Sequence, residues 1–392
     1  MAANPDVIAM MRALVAQPSV SSADPRYDQS NLQVVELLAE WLENLGFAIR
    51  MQPLSATKAN LIATLGEPRE AGGLVLSGHT DTVPCDEQYW SVDPFKLSER
   101  DNRYYGLGSA DMKSFFALVL EAVKDYRAKD CKQPLILFAT ADEESTMAGA
   151  RALVREGIKE GRYAVIGEPT NLQPIRMHKG VLMESIRIHG QAGHSSNPKL
   201  GANAIEAMHE IIAALLSWRE ELQARYRNPA FEVQVPTLNL GSIHGGDNPN
   251  RICSKCDIAI DLRLLPGMEL EELKQRLRAR LQPIFAARPA FRLEVNSLFE
   301  GVPSFEVSEQ AHIVKTCEAH CGKRSGAVAF GTEAPFLSQL GLETVVMGPG
   351  CIDQAHQADE YIAMEQIKPA LGLIRHLVER YCIMPDEARA RK

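Results

Sequence analysis

Leu74-Val75-Leu76-Ser77-Gly78-His79-Thr80-Asp81 is the stretch from which the fold is read. Its apolar residues run without alternation and stop at a glycine, a histidine and an aspartate. A continuous apolar run marks a strand buried on both faces, as in parallel or mixed sheets covered by helices. The pattern returns three times. Leu135–Ala139 leads into Thr140-Ala141-Asp142-Glu143-Glu144, Ala164–Ile166 into Gly167-Glu168-Pro169, and Thr344–Met347 into Gly348-Pro349-Gly350 and then His356. Phe115–Val123 reads as a helix between the first two runs, with Asp111 at its mouth. This βαβ rhythm predicts an α/β core, a mixed and mostly parallel sheet sandwiched by helices.

Upstream, Val7, Ile8, Met11, Leu14 and Val15 follow helical spacing, as do Leu38, Leu42 and Leu45, with Gly46 as a stop. Extended segments are expected at Phe47–Gln52 and Asn60–Leu65. Downstream the chain changes character. Val181–Gly190 alternates like a half-exposed strand. A long helix over about 202–223 would bury Ile205, Met208, Ile212, Leu215 and Leu216. Strands near Thr237–Ile243 and Cys256–Arg263 follow, then a helix carrying Leu270, Leu273, Leu277, Leu281 and Ile284. Alternating strands with two amphipathic helices predict a small α+β unit inserted into the α/β domain. The expected division is 1–179 and 298–392 for the catalytic domain and 180–297 for the insert. A last helix is expected around Ile367–Tyr381, and the polar end Asp386–Lys392 reads as frayed.

The chain has 392 residues, 45% hydrophobic and 23% charged, which suits two or three globular domains. Acidic residues outnumber basic ones, 50 to 42, a net charge of −8. No basic stripe exists to neutralise nucleic-acid phosphates or to meet an anionic membrane surface. No apolar run approaches the roughly 18 residues that span a bilayer. The first residues lack the basic and apolar regions of a secretory signal, so a cytoplasmic protein is expected. Eight cysteines are too sparse for a disulfide scaffold. Cys253-x-x-Cys256 invites a zinc reading. However, Cys256, Ile258, Ile260 and Leu262 alternate as in a strand, where residues three apart face opposite sides. Buried thiols are the expectation there, and Cys317-x-x-x-Cys321 beside His320 is read the same way.

Ligands of open α/β sheets bind outside the carboxyl ends of the strands. His79, Asp111, Glu143, Glu144, Glu168 and His356 all stand at such positions. Two imidazoles with several carboxylates suit zinc or a similar divalent ion. Without a cation, that many carboxylates would repel one another at a desolvated site. Two divalent ions would balance three carboxylates and a hydroxide. Asp111 is placed to bridge them, with one histidine and one glutamate for each, and Asp81 to orient His79. Each element alone has an ordinary reading: a strand-end polar residue, a solvated acidic pair, a helix cap. Gly106-x-Gly108-x-x-Asp111 lacks the third glycine of a dinucleotide loop. The joint pattern, four strand ends each with a ligand type, is what argues for a metal centre.

These stretches resemble the M20 metallopeptidase family of amidohydrolases. The resemblance is carried by Gly78-His79-Thr80-Asp81-Thr82-Val83-Pro84, Gly106-Leu107-Gly108-Ser109-Ala110-Asp111-Met112-Lys113, Ala141-Asp142-Glu143-Glu144, Gly167-Glu168-Pro169-Thr170, Gly193-His194-Ser195-Ser196 and Gly348-Pro349-Gly350 through His356. Ser114 stands where the family typically has glycine. The resemblance implies a zinc aminopeptidase-like fold with an inserted lid or dimerisation domain. It implies two divalent ions, zinc or cobalt: His79 and Glu168 on one, Glu144 and His356 on the other, Asp111 between. Glu143 would be the general base, with Asp81 supporting His79. His194 of the insert would reach an active site, in relatives that of the partner subunit of a homodimer. The substrate would be a small N-acyl amino acid. Asp28-Gln29-Ser30-Asn31, Ile243-His244-Gly245-Gly246-Asp247, Asn250-Arg251-Ile252-Cys253, Gly331-Thr332-Glu333-Ala334-Pro335-Phe336 and Gln354-Ala355-His356-Gln357 narrow it to N2-acetyl-L-ornithine. Acetylcitrulline and succinyl-diaminopimelate are the rivals. Asn250, Arg251 and Arg263 are candidates for the substrate carboxylate, and Glu333 for its terminal ammonium. An arginine ending a strand and a carboxylate starting a helix have structural readings too.

Overall fold

A computed structural model describes residues 4–67, 72–158 and 160–384. The expected frayed end at 386–392 lies outside the described residues. The chain divides into two compact units: residues 1–176, 307–326 and 332–392, and residues 177–306 with 327–331. The insert anticipated over 180–297 thus begins slightly earlier and runs on to Glu306. The extension has a local cause: Phe305 pairs with His178 and Glu306 with Met177 in an antiparallel ladder.

In the first unit the central strands are Leu135–Thr140, Leu74–His79, Tyr163–Pro169 and Glu343–Gly348, neighbours in that order and all parallel. Ala59–Leu65 and Ala48–Pro53 extend one side antiparallel. Every residue of Leu74–His79, Leu135–Thr140 and Tyr163–Pro169 is buried. Successive side chains face opposite sides of a strand. Leu74, Leu76, Leu135, Leu137, Val165 and Val345 join one core with helices Val7–Val15, Leu32–Asn44, Lys113–Val123, His312–Cys321 and Ile367–Val378. The alternate residues Val75, Ile136, Phe138, Ala164 and Ile166 are just as buried on the other face. Two covered faces explain why the sequence runs apolar without alternation.

The second unit is a four-stranded antiparallel sheet in the order Thr237–Gly245, Lys255–Leu264, Gly180–His189, Arg292–Ser297. Burial alternates strictly along Lys255–Leu264, so one face packs and the other does not. Helices Ala204–Arg225 and Leu270–Leu281 close that face. The buried stripe of the longer helix is Ala204, Ala207, Met208, Ile211, Leu215, Trp218 and Leu222. It lies to one side of the expected stripe, and Ile205 is 46% exposed. Ala204 and Ala207 are buried in this core, and their small size hid them from a reading based on large apolar residues. Cys253 and Cys256 pack in this core.

Candidate metal centre

His79 ends its strand, and Glu168 lies one residue from the end of its own. Glu143 and Glu144 follow the strand Leu135–Thr140 by three and four residues, and His356 follows Glu343–Gly348 by eight. Four neighbouring parallel strands therefore deliver their ends side by side. Close backbone approach there requires glycine. A Cβ on Gly167 would lie 2.3 Å from the Phe115 ring, and one on Gly348 would lie 2.1 Å from the Gly167 carbonyl oxygen. Asp111 precedes the helix Lys113–Val123 without capping it, and the Asp111–Met112 peptide is cis.

Asp111 stands between the two histidines. Its Oδ1 is 3.0 Å from His79 Nε2 and its Oδ2 is 3.7 Å from His356 Nε2. Glu168 Oε1 lies 4.0 Å from His79 Nε2, and Glu144 Oε1 lies 3.0 Å from His356 Nε2. Ligand atoms of His79, Asp111 and Glu144 all fall within 4.8 Å of one another. His79, Asp111, Glu143 and Glu168 are buried, whereas His356 is exposed and stands at the rim. The His356 backbone is left-handed, φ 60°. That region is uncommon for a residue with a side chain, and such strain gathers at functional sites.

Asp81 meets His79 through its main chain. The closest oxygen to His79 Nδ1 is the Asp81 backbone carbonyl at 3.0 Å, and the carboxylate is 3.7 Å away. The carboxylate instead accepts the backbone N–H groups of Glu143 and Glu144 at 3.3 and 3.1 Å. One residue thus fixes the His79 ring through its main chain and the acidic turn through its side chain. The carbonyl accepts a hydrogen bond from the Nδ1–H, which leaves the Nε2 lone pair of the neutral ring for a ligand.

The electrostatics are those of a site built for cations. Burial, reinforced by Glu168, pushes Glu143 well above the usual carboxylate range. Burial and then Asp111 do the same to Glu168, while burial, opposed by His79 and aided by Glu144 and Asp142, raises Asp81 to about 6. Burial disfavours charge on His79, yet Asp111, Glu168 and Asp81 outweigh it and hold the ring well above its ordinary value. Glu144 lifts His356 to about 9. Glu168 Oε1 is buried without a hydrogen-bond partner. A buried carboxylate oxygen left so, beside two imidazoles and further carboxylates, fits a divalent cation and little else.

Other expected site residues group elsewhere. His194, Asn250 and Arg251 meet on paired loops of the second unit, where Ser195 N–H donates to the Asn250 carbonyl and His194 bridges to Arg251. Arg251 pairs with Asp247 at 2.6 Å, and Arg263, on the sheet, pairs with Asp261 at 3.0 Å. Glu333 stands just before the helix Ala334–Gln339. It is 1% exposed, and its carboxyl sits beside Thr140 and Ser77 without reaching hydrogen-bond geometry. Burial raises it to about 7. It belongs to the first unit and stands close enough to His79, Asp81, Glu143 and Glu168 for their charges to act on one another.

One contributor escaped the sequence reading. Lys58 is buried, and its ammonium reaches Asp142 at 2.6 Å and Asp28 at 2.8 Å. Asp142, in the left-handed region at φ 58°, begins the turn that carries Glu143. A lone lysine between two strands gives no local signal of this. Lys58→Met is expected to cost about 3 kcal/mol in urea unfolding, because it strands the Asp142 carboxylate. Adding Asp142→Asn should recover part of the loss, and no recovery would disprove the coupling. Burial opposes the Lys58 charge, but Asp142 and Asp28 hold its pKa above the ordinary 10.5. Its contribution is therefore complete below that pH and lost as pH rises through the raised value.

A cluster of two imidazoles and several carboxylates, buried except at the rim where His356 stands, at the strand ends of an α/β sheet is the kind of site that holds divalent cations in metal-dependent hydrolases. The sequence profile of peptidase family M20/M25/M40 matches residues 75–380, and the chain belongs to that family. It is 50% identical over 380 residues to an acetylornithine deacetylase of Edwardsiella ictaluri, covering 96% of this chain and 98% of that one. An M20 family metallo-carboxypeptidase from Sulfolobus solfataricus shares the fold. Its TM-score is 0.76 at 16% identity, over 96% of this chain and 99% of that one. A dinuclear metal-binding peptidase of the same family from Bacillus subtilis does so with a TM-score of 0.67 at 17% identity, over 95% and 96%. Among the described residues no helix is long and apolar enough to cross a membrane.

Proposed function

We propose that the chain hydrolyses N2-acetyl-L-ornithine to L-ornithine and acetate, in the cytoplasm, as a step of arginine biosynthesis. The observation that carries this is the 50% identity, along nearly the whole length, to a relative named for that deacetylation. Two zinc or cobalt ions would be held by His79 with Glu168 and by Glu144 with His356, bridged by Asp111. Divalent ions so held lower the pKa of bound water and polarise the amide carbonyl. Glu143, the carboxylate left over, takes the proton of the attacking water and returns it to the leaving amine. Asn250, Arg251 and Arg263 grip the substrate carboxylate. The pairs that Arg251 and Arg263 now make are solvent-accessible and cheap to exchange.

The active form is proposed to be a homodimer. Thr237–Gly245 is an edge strand, and Ile243 on it is 52% exposed. An exposed edge with an apolar residue is a ready pairing surface for a second copy. His194 would serve the partner's site. Its Nδ1 accepts the Ser196 backbone N–H at 3.2 Å, so the neutral ring carries its proton on Nε2, ready to donate to an oxyanion.

Release of the carboxylic acid product, acetate or succinate as the acyl group dictates, is to be measured across acetylornithine, acetylcitrulline and succinyl-diaminopimelate with the metal-loaded protein. Acetylornithine should give the highest kcat/KM, and preference for either other substrate would overturn the assignment. His356→Ala should weaken one ion and leave one tight site when metal-stripped protein is titrated with Zn²⁺. Equal loss of both would refute the pairing.

A further inference from the structure

Glu360 is 2% exposed and belongs to none of the expected site residues. Its Oε1 accepts the backbone N–H groups of Ala110 and Asp111 at 2.8 and 3.0 Å, and its Oε2 accepts that of Gly108 at 3.0 Å. Its own carbonyl accepts the Gly106 N–H at 3.0 Å and faces the Ser109 hydroxyl at 3.4 Å. One residue thereby satisfies four main-chain donors of the Gly106–Asp111 loop. Both oxygens of the side chain act as acceptors here, which a carboxyl group can supply and an amide can supply at one atom only. The rest of the loop is held by main-chain bonds, from the Leu107 N–H to the Pro94 carbonyl and from the Lys113 N–H to the Gly108 carbonyl, both at 2.8 Å, but none of these involves the Ala110 or Asp111 N–H.

Glu360 also stands four residues after His356 and just before Tyr361, which pairs with Tyr105 in a short antiparallel ladder. The segment that presents His356 is thus tied, through Glu360, to the loop that presents Asp111. Those two side chains meet at 3.7 Å. A ligand shared between two ions must be placed more exactly than a ligand to one, since an error in it is felt at both.

We propose that Glu360 is a positioning residue that sets the Asp111 carboxylate between the two metal sites. The inference rests on the two-metal reading. A partner of this kind, one shell out from the ligand, is typically worth 10- to 100-fold in metal affinity. Glu360→Ala should therefore weaken both ions by about that factor, in contrast to His356→Ala.

The test is Zn²⁺ titration of metal-stripped wild type, Glu360→Ala and Glu360→Gln by calorimetry, with the melting temperature of each metal-free protein as control. Gln retains one acceptor oxygen for Ala110 and Asp111 but turns a donor toward the Gly108 N–H. It should show a smaller loss at both sites. If Glu360→Ala fails to fold, the near-isosteric Gln variant carries the test alone. Both ions bound as in wild type by either folded variant would overturn the proposal, as would loss of one ion only. A lower metal-free melting temperature with unchanged affinities would make Glu360 merely structural, which also overturns it. Failure of wild type to take up two ions would instead overturn the metal reading itself.

Discussion

Glu143→Gln is expected to abolish most turnover, on the order of 10²–10⁴ in kcat, while metal content per chain stays unchanged. The argument starts from the residue's place. Glu143 is buried beside Glu144 and Glu168, and its backbone is fixed by the Asp81 carboxylate at 3.3 Å. Asp111, Glu144 and Glu168 already pair with the two imidazoles, so Glu143 is the spare carboxylate. Gln keeps its size and its backbone anchor but cannot take a proton from water. Metal falling together with activity would make Glu143 a ligand and remove it as base. Stability should move the opposite way. Burial and Glu168 raise Glu143 well above its ordinary value, so the folded state binds this proton more tightly than the unfolded chain does. Stability of the metal-stripped protein then falls as pH rises above the ordinary carboxylate range. Glu143→Gln removes that charge, so the metal-stripped variant should melt higher than wild type at pH 7 to 8. A lower melting point there would mean that the carboxylate stabilises the fold rather than straining it.

The fold was legible because burial on two faces writes itself into sequence. Leu74–Leu76 and Leu135–Ala139 have no polar face to interrupt them, and both strands proved buried throughout. The histidines and carboxylates were legible for a related reason: they stand where those runs stop, and strand ends of one sheet converge. What sequence could not convey was support from a distance. Lys58 and Glu360 are single charged residues with ordinary neighbours, and their importance lies in partners 84 and about 250 positions away. Asp81 shows the same limit at short range. Its spacing from His79 pointed to support of that ring but not to the main-chain carbonyl as the group that gives it. Nor did the sequence convey the depth of Glu333: a carboxylate just before a helix is ordinarily exposed, and this one is buried.

His194→Ala is expected to lower kcat by about 10²–10³ with little change in KM. The pattern follows from an oxyanion donor, which meets its negative partner only as the carbonyl carbon becomes tetrahedral. The second unit supplies what such a donor needs. His194 is exposed on a loop pinned by hydrogen bonds from Ser195 to Asn250 and from Ile252 to Gly193. Its Nδ1 is engaged by Ser196, so the ring's orientation and its protonated Nε2 are both set before substrate arrives. His194→Gln, which retains a donor without the ring, should recover only part of the loss. A rise in KM at constant kcat would show instead that His194 binds substrate and transition state alike. Action across a dimer has a sharper consequence. Mixing inactive His194→Ala with inactive Glu143→Gln subunits yields heterodimers in which one site has both defects and the other has neither. Activity should then reappear in proportion to heterodimer formed. Subunit exchange without recovery would place His194 in the service of its own chain's site or outside catalysis.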